Sequence, residues 1–472
     1  MERLTTDCQL RTTNYYSMFF KGNTYSSRAE KVLKELLSAG FSAYYVGGCV
    51  RDLLRGKTSS DIDIATNATL EDIKKVFPKA AIIGEAFSVA LVHKIEVATF
   101  RQDGPYSDFR HPDFVKIVPT VEEDLSRRDF TINAIAMDID GNIIDPFNGK
   151  KDLENKIVRF VGEPRKRLFE DPIRALRACR FASLISGKIE SESKKVILQN
   201  HSLLKKIAKE RIQLELNKIL MLDNREDALF LLSEFHLLEE ILPELAKSID
   251  VPQKGYHAED CWTHAVKSTQ AVVKKDLKLR LATLLHDIAK PKQRTRDDDG
   301  IDHFYSHEVA GVKIVEKELR NLKYSLQTIG YVKEATRYHM TRIMFVPEMK
   351  DATIRRLMGR LKYISIRDIL RLQIADMRGN LREPFSLKEQ IELLRYVLKR
   401  IRRIEKEDHA LKITDLAING IDIINIFKIK PGRKVGKALQ YCLEEVLKKP
   451  ELNTKKDLIF LLKSKYLVKN GS

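Results

Sequence analysis

The stretch "VGGCVRDLLRGKTSSDIDIAT", residues Val46 to Thr66, decides the fold of the N-terminal part of the chain. A glycine pair precedes a short helical pattern, and two aspartates then flank one isoleucine inside an apolar run. Because side chains alternate along a strand, we expect Asp61 and Asp63 to share one face, opposite Ile62. Two neighbouring carboxylates repel unless a cation lies between them, so the pattern predicts a metal site. The alternative is a solvated pair on an edge strand.

Residues around these aspartates indicate a phosphate-bearing ligand. Gly47 and Gly48 let the backbone approach a ligand and, ahead of a helix, direct N–H groups at an anion, while Arg51 adds a guanidinium suited to phosphate. Glu96, in "KIEVATF", lies between apolar residues on a later predicted strand and is the candidate third carboxylate. Together these features predict a nucleotidyl-transfer site with Mg²⁺ on Asp61 and Asp63, where one metal activates a hydroxyl and another neutralises a triphosphate.

The composition favours a polyanionic partner. The chain has 472 residues, enough for about two to four domains. Its 84 Lys and Arg against 66 Asp and Glu give a formal net charge of +18, which suits nucleic acid better than a membrane. Solvated lysine-rich helix faces are the alternative explanation for part of this excess.

The cysteines and the hydropathy predict a cytoplasmic protein. The five cysteines are scattered and never spaced as CxxC, which predicts neither a disulfide framework nor a zinc ribbon. No apolar run approaches the roughly 18 to 20 residues that a membrane span needs. The first residues are polar, without the apolar core of a signal peptide. We therefore expect a reducing compartment and no membrane partner.

The pattern of apolar residues divides the chain into five segments. Residues 1–27 match no pattern and form an unassigned N-terminal extension. Short apolar runs alternate with turn signals over 28–150, which predicts an α/β domain. Helical spacing then continues through 151–250, a histidine-bearing block at 256–390 and a basic C-terminal region at 391–472. A stretch rich in proline and glycine at 241–255 predicts a linker.

The histidine-bearing block contains a second candidate metal site. Its histidines and aspartates occur in the order H…HD…H…H…D, at His264, His286, Asp287, His307, His339 and Asp376. Neutral imidazoles and carboxylates that converge from several helices can hold one or two divalent transition metals with open positions for water and phosphate. This order resembles the HD phosphohydrolase superfamily, which implies metal-dependent hydrolysis of phosphomonoesters or cyclic phosphates.

Several motifs in the first half resemble a known family. The segments "VGGCVRDLLRG", "SSDIDIAT", "RRDFTINAIAMD", "DPFNG", "EDPIRALRACRFA" and "KERIQLEL" occur in the order of the signature motifs of class II tRNA nucleotidyltransferases. These are the CCA-adding enzymes and bacterial poly(A) polymerases of the DNA polymerase β-like superfamily, and the resemblance covers about residues 28 to 222. It implies an α/β nucleotidyltransferase head, then all-α neck, HD and tail domains, the last similar to a tRNA-binding region. The implied partners are the tRNA 3′ end, CTP and ATP, with no protein partner.

The motif "EDPIRALRACR" is the candidate for base selection. Asp171, Arg174, Arg177 and Arg180 recur every three residues on a predicted helix and would share one slowly drifting face. The resemblance implies that Asp171 and Arg174 read the base, that Arg128 assists, and that Arg177 and Arg180 hold the nucleotide. A carboxylate beside a guanidinium suits cytosine and adenine, whereas guanine and uracil would turn an oxo group toward the carboxylate. The alternative is a solvated ion pair between helix turns.

Three functions remain open at this point. The first is a CCA-adding enzyme with an added HD phosphohydrolase. The second is an A-adding or poly(A) polymerase relative, and the third is an RNA-binding protein with vestigial sites. The segment "RQDGPYSDFRHPDFVKIVPTVEEDL" corresponds to a flexible loop that family members able to add the terminal A retain, which favours CCA or A-only addition over CC-only addition.

The basic C-terminal region predicts salt-dependent tRNA binding. If the Lys/Arg surfaces at 395–406 and 428–437 contact about six phosphates, affinity should fall ~10³-fold or more between 50 and 200 mM salt, because each contact releases counterions. Filter binding of tRNA at increasing KCl concentrations measures this slope. A flat dependence would exclude these surfaces from tRNA binding.

Overall fold

The computed structural model describes residues 24–59, 61–84, 88–109, 111–254, 259–341, 350–380, 387–407 and 410–467. Most of the unassigned segment 1–27 therefore lies outside the described residues. The chain divides into two compact units, Met1–Pro243 and Glu244–Ser472. Among the described residues, no helix is long and apolar enough to cross a membrane.

The first unit begins with a mixed sheet. Helix α1 (Thr24–Ser38) precedes β1 (Ala43–Val46), α2 (Gly48–Leu54), β2 (Asp63–Thr66), α3 (Leu70–Val76), β3 (Ala81–Gly84), β4 (Val89–Val92) and β5 (Ile95–Thr99). A ribbon of β6 (Arg101–Asp103) and β7 (Val115–Ile117) is followed by α4 (Val121–Ser126), β8 (Ala136–Met137) and β9 (Ile143–Ile144). The seven-stranded order is β3-β4-β5-β2-β1-β8-β9, in which β2 and β5 run parallel.

Strand β2 lies at the centre of this sheet and is buried on both faces. Ile62 and Ile64 belong to a core formed with α1 and α3, while Ala65 packs into a second core on the other face with Val46 and Phe100. The parallel register sets Asp63 beside Glu96 on β5. The strand begins at Asp63, so the expectation that both aspartates lie on it is wrong for Asp61, an exposed residue just before the strand.

The rest of the first unit is mainly helical. It contains α5 (Gly149–Glu154), β10 (Ile157–Val158), α6 (Pro164–Glu170), α7 (Arg174–Leu184), β11 (Lys188–Ile189), α8 (Ser191–Asn200), α9 (Lys209–Met221), α10 (Arg225–Glu234) and α11 (Leu238–Ile241). Asp171 does not lie on the helix predicted for it: α6 ends at Glu170, and Asp171 is extended, with φ −150° and ψ 97°. The physical reason is Pro172, since a residue before proline is disfavoured in the helical region.

In its described residues, the second unit is mainly helical and contains one short hairpin. After α12 (Pro243–Ala246), which spans the boundary, come α13 (Cys261–Ala271), α14 (Leu277–Leu285), α15 (Lys290–Gln293), β12 (Thr295–Arg296), β13 (Asp302–His303), α16 (His307–Asn321), α17 (Leu326–Tyr338), α18 (Asp351–Arg360) and α19 (Ile366–Gly379). The chain continues through α20 (Leu387–Lys406), α21 (Gly420–Phe427), α22 (Arg433–Lys448) and α23 (Lys455–Leu467). A separate apolar core joins α21 to α23 around Ile423, Cys442 and Leu458. The expected α/β head followed by helical regions is confirmed.

Glycine is required where α5 approaches the residues after α4. A Cβ on Gly149 would lie 2.1 Å from the carbonyl oxygen of Thr131, which is backbone and cannot move aside cheaply. We therefore expect Gly149→Ala to lower the free energy of unfolding by about 2 kcal/mol or more. Urea denaturation followed by circular dichroism measures the change.

The matched control is Gly436→Ala in α22. A Cβ at Gly436 would meet nothing within 4 Å, and the residue is exposed. Alanine there should raise stability by about 0.5–1 kcal/mol, because glycine is the poorer helix former. Equal effects of the two substitutions would contradict the close approach at Gly149.

Candidate functional sites

A cleft of about 440 Å³ opens in the first unit. It brings together most of the residues predicted for nucleotide binding and one predicted metal ligand. Its lining comprises Gly47, Gly48, Arg51, Asp63, Arg101, Asp103, Tyr106, Arg127, Arg128, Asp129, Asn133, Asp171, Ile173, Arg174, Arg177, Phe181 and Arg211. Asp61, Glu96 and Arg180 are not part of this lining. Seven arginines against four aspartates make the cleft suitable for a polyphosphate.

The surroundings of Asp63, at the start of β2, destabilise the charged form of its carboxylate. Burial, together with the neighbouring charges of Asp61 and Glu96, raises the pKa of Asp63 to about 6, against the opposite effect of Arg128. A divalent cation would relieve this repulsion, and oxygen ligands of this kind suit a hard ion. Within the described residues, the three carboxylates do not form a cluster of ligand atoms all within 4.8 Å of one another. The donor set fits a metal that is also bound by substrate phosphates.

The glycine pair positions an arginine. Gly47 has φ 75°, and a Cβ on it would lie 2.6 Å from Nη1 of Arg128, so only glycine lets this guanidinium pass. Arg128 donates one long hydrogen bond to Asp124 (3.4 Å), and in the described part of the chain its buried Nε has no hydrogen-bond partner. The Gly47 N–H already donates to the carbonyl of Ile135 (3.1 Å), so it is not available to an anion as the sequence suggested.

Arg51 is held from two sides. Its Nη1 donates to Oδ1 of Asn133 (2.7 Å), and its Nε and Nη2 donate to the carboxylate of Asp52. The guanidinium also lies over the ring of Phe181, 5.0 Å from its centroid. Arg51 is therefore pre-oriented at the cleft wall, which lowers the entropy cost of phosphate binding.

The two predicted base-reading residues have separate partners. Asp171 accepts two hydrogen bonds from Arg211, at 3.0 and 2.7 Å. Nη1 of Arg174 donates to Glu170 and to the carbonyl of Arg167, both at 2.8 Å. Each side chain lines the cleft in a fixed orientation, which is what selective base pairing by a protein requires.

Arg177 and Arg180 occupy different environments. Nε of Arg177 donates to the buried carboxylate of Asp129 (2.7 Å) at the cleft. Burial would raise the pKa of Asp129, but Arg177 and Asn133 lower it to about 2. Arg180 pairs with Glu215 and stacks on Phe181 (4.1 Å to its centroid), outside the cleft lining. Its predicted contact with the nucleotide stays a prediction.

Sequence reasoning passed over four residues that complete these sites: Glu170, Arg211, Asp129 and Lys290. The first three lie inside the family motifs. Arg211 and Asp129 have partners 40 and 48 residues away, so no spacing signal pairs them, whereas Glu170 and Arg174 are four residues apart, a spacing typical of ion pairs on a helix. Lys290 follows the His-Asp pair by one helical turn, and its Nζ lies 2.5 Å from Oδ2 of Asp287. That spacing was the available signal for Lys290.

In the second unit, all six predicted metal ligands converge. Nε2 of His264 lies 2.8 Å from Oδ1 of Asp376, and Nε2 of His286 lies 3.2 Å from Asp287 and 3.4 Å from Asp376. Nε2 atoms of His307 and His339 lie 3.2 and 3.3 Å from Oδ1 of Asp287. Two overlapping ligand triads result: His264 with His286 and Asp376, and His286 with Asp287 and His339.

Backbone carbonyls orient three of these histidines. The Nδ1–H groups of His286, His307 and His339 donate to the carbonyls of Thr283, Phe304 and Thr336, each at 2.7 Å. With Nδ1 protonated, each neutral ring presents a lone pair at Nε2, the arrangement typical of metal-bound histidine. The Nε2 atoms of His307 and His339 are 3.1 Å apart, so their lone pairs repel unless a proton or a cation lies between them.

The charges of this centre also favour a cation. Burial disfavours a charged His286, but the carboxylates of Asp287 and Asp376 overcome it and raise its pKa to about 10. The pKa values of both aspartates lie well below the usual range, although burial opposes this. A divalent cation would supply the same positive charge to the carboxylates as the proton on His286. The mixed nitrogen and oxygen donors therefore fit a metal.

Comparison with known proteins agrees with both sites. The Poly A polymerase head domain matches residues 43–159, the "Probable RNA and SrmB- binding site of polymerase A" matches 188–249, and the HD domain matches 255–417. A CCA-adding enzyme of Ligilactobacillus salivarius is 33% identical over 444 residues, covering 92% of this chain and 95% of the relative. One from Enterococcus faecalis is 42% identical over 251 residues, and there the chain spans 62% of the relative.

A solved structure extends the agreement to the fold. The Bacillus stearothermophilus CCA-adding enzyme in complex with CTP has a TM-score of 0.70 and 26% identity, covering 95% of this chain and 99% of that one. Head, helical regions and histidine centre together define a nucleotidyltransferase that carries an HD domain, a class whose chemistry depends on metal ions. Within that class, the chain belongs to the family of the CCA-adding enzymes.

The Asp171–Arg211 pair generates a prediction about base choice. Arg211→Ala removes both hydrogen bonds that orient the Asp171 carboxylate, so the preference for CTP and ATP over UTP and GTP should fall by about tenfold or more. Values of kcat/KM for the four nucleotides measure this. Arg165→Ala is the control, because Arg165 is exposed, stacks on Phe169 and does not line the cleft. If Arg211→Ala keeps the wild-type selectivity among the four nucleotides, the orientation of Asp171 by Arg211 does not contribute to base choice.

Proposed function

We propose that this chain adds the 3′-terminal CCA, or its terminal A, to tRNA from CTP and ATP without a nucleic-acid template. The observation that carries the proposal is the cleft in which a strand-borne carboxylate, Asp63, lies in the same cavity as Arg51, Arg128 and the residues around Asp171. Such a cleft can hold the phosphates at one end and read the base at the other. The match to CCA-adding enzymes along almost the whole chain supports this function over the RNA-binding alternative.

The reaction is an in-line displacement at the α-phosphorus of the nucleotide. The tRNA 3′ oxygen bonds to phosphorus, the bond to the bridging oxygen breaks, and pyrophosphate leaves. Mg²⁺ held by Asp61, Asp63 and Glu96 would supply charge neutralisation and an activated hydroxyl. Arg51 and Arg128 bind and orient the phosphates, and the position of both side chains in the cleft lining supports this role. Arg177, held by Asp129, supports the nucleotide at the cleft wall.

Base choice rests on the pair Asp171 and Arg174. A carboxylate has more lone pairs than Arg211 occupies, so Asp171 can still accept from the exocyclic amino group of cytosine or adenine. Arg174 donates to the neighbouring ring acceptor while Glu170 keeps its guanidinium in place. Uracil and guanine would place an oxygen against the carboxylate, which costs a lost hydrogen bond and repulsion.

The segment at 101–125 supports addition of the terminal A. It forms the ribbon β6–β7 and helix α4, and three of its residues, Arg101, Asp103 and Tyr106, line the cleft. The hydroxyl of Tyr106 donates to Asp103 (2.7 Å), which joins the ribbon's turn to its first strand. A sequence that retains this segment beside the base-reading residues favours complete CCA or A-only addition.

The HD centre is proposed to be a second active site. Its six candidate ligands lie together, and their nitrogen content favours a divalent transition metal over Mg²⁺. The activity would be hydrolysis of a phosphate ester. Lys290, next to Asp287, can contribute positive charge toward a phosphate. We place both activities in the cytoplasm, where tRNA and nucleoside triphosphates occur.

Two independent centres should be separable by mutation. Asp63→Asn keeps the side-chain volume but removes the charge that holds metal, so it should reduce nucleotide incorporation by a factor of ~10³ or more and leave phosphohydrolase activity intact. His286→Ala combined with Asp287→Ala should do the reverse. Nucleotide addition is measured as incorporation of labelled CTP and ATP into tRNA lacking its 3′ end. Phosphohydrolase activity is measured as release of phosphate from a phosphate ester in the presence of Mn²⁺.

Unchanged melting transitions are the control for folding in both variants. Loss of both activities in each folded variant would mean that the centres are coupled. If Asp63→Asn incorporates nucleotides at the wild-type rate, Asp63 does not hold the metal for nucleotide addition. Sequencing of the added nucleotides distinguishes CCA from A-only addition.

A further inference from the structure

One aromatic ring in the nucleotide cleft contacts three arginines. Phe181 lies in α7, is only 3% exposed and is part of the cleft lining. The guanidinium carbons of Arg180, Arg51 and Arg177 lie 4.1, 5.0 and 5.3 Å from the centroid of its ring. All three distances are within the roughly 6 Å at which the electron-rich face of a ring attracts a cation. Phe181 therefore joins side chains that carry three positive charges.

The three arginines reach the ring from different parts of the chain. Arg177 precedes Phe181 by four residues in α7, a spacing that puts two side chains on one face of a helix. Arg180 is its neighbour in sequence, and Arg51 comes from α2, far earlier in the chain. The ring thus links Arg51 to the helix that carries Arg174.

The positive charges around this ring repel one another, and the ring offsets part of the repulsion. Burial, with a smaller contribution from the charge of Arg180, lowers the pKa of Arg51 against the opposite effect of Asp52. An aromatic face attracts a guanidinium through its quadrupole but carries no net charge. The arginines can therefore lie close together and still present a positive surplus to a phosphate.

The ring itself is fixed in place. It lies edge to face against the ring of Phe130, with centroids 5.6 Å apart and planes inclined by 72°. Arg180, which contacts the ring of Phe181, is in turn paired with the buried carboxylate of Glu215. Because the ring is held in this way, the arginines stacked on it are oriented before a ligand binds, which lowers the entropy cost of binding.

We propose that Phe181 is a positioning residue for nucleotide addition: its aromatic face holds Arg51 and Arg177 in the orientation that binds the triphosphate of the incoming CTP or ATP. The inference rests on the nucleotide addition proposed above and adds a residue that acts through the arginines. Asp171 and Arg174, the candidate base-reading residues, are held by other side chains. Loss of the ring should therefore weaken nucleotide binding without changing which base is preferred.

The test separates the electrons of the ring from its volume. Replacing Phe181 with mono-, di- and trifluorinated phenylalanine withdraws electrons from the ring face and changes its size little. We expect KM for CTP and ATP to rise with each fluorine, by about fivefold for the trifluorinated ring, while kcat and the preference over UTP and GTP stay the same. Phe181→Leu, which loses the ring altogether, should raise KM about tenfold. Kinetics of nucleotide incorporation into tRNA lacking its 3′ end measure these values.

Phe77 provides the matched control. It is buried in the core of the head, at 5% exposure, and its ring meets the imidazole of His93 edge to face. Phe77→Leu should lower the melting temperature about as much as Phe181→Leu does, because both remove a buried ring, and it should leave KM unchanged. Fluorinated phenylalanine in place of Phe77 should likewise have no effect on KM.

Fluorinated variants with the KM of the wild-type chain would overturn the proposal even if Phe181→Leu raises KM, because the ring would then act through its volume alone. A changed base preference in folded Phe181→Leu would also overturn it. If the wild-type chain adds no nucleotide, the proposed addition fails, and calorimetric binding of CTP then decides the role of the ring. Weaker binding to the trifluorinated variant than to the wild-type chain would support that role, whereas equal or absent binding would overturn it.

Discussion

Seven arginine side chains line one cleft of about 440 Å³, and at that density their repulsion would open the cleft unless carboxylates balanced it. Every one of them has an acidic partner. The pairs are Arg51 with Asp52, Arg101 with Asp103, Arg127 and Arg128 with Asp124, Arg174 with Glu170, Arg177 with Asp129, and Arg211 with Asp171. This charge balance keeps the cleft folded and leaves a positive surplus for phosphate.

The histidine centre also depends on charge balance, but there the carboxylates are surrounded by basic side chains. There, the buried Asp287 and the half-buried Asp376 lie among four histidines, and the balance is completed by positive charge on His286 and Lys290. A metal would take the place of the proton on His286. At the histidine centre a bound metal would thus replace an existing interaction, and this would limit the desolvation cost of binding.

Much of this architecture could be predicted from the sequence. The turn signals before Gly149 and the helical spacing after it separate the α/β head from the helical regions, because periodicity is a local property. The six residues predicted as metal ligands of the HD centre do lie together in the structure, and their residue types and order in the sequence are distinctive, while their role as ligands stays a prediction. The position of Asp171 was wrong because a three-residue spacing was read as continuous helix across Pro172.

The sequence by itself determined that an α/β head is followed by helical regions, and it named most of the candidate side chains for the two sites. Only the tertiary structure decided which partner holds each of these side chains. Arg51 meets Asn133 across 82 residues, Arg211 meets Asp171 across 40, and Arg180 meets Glu215 across 35. It also placed Glu96 beside Asp63 through the parallel register of two strands. Such contacts depend on how distant elements pack and on strand register, neither of which leaves a periodic signal in the chain.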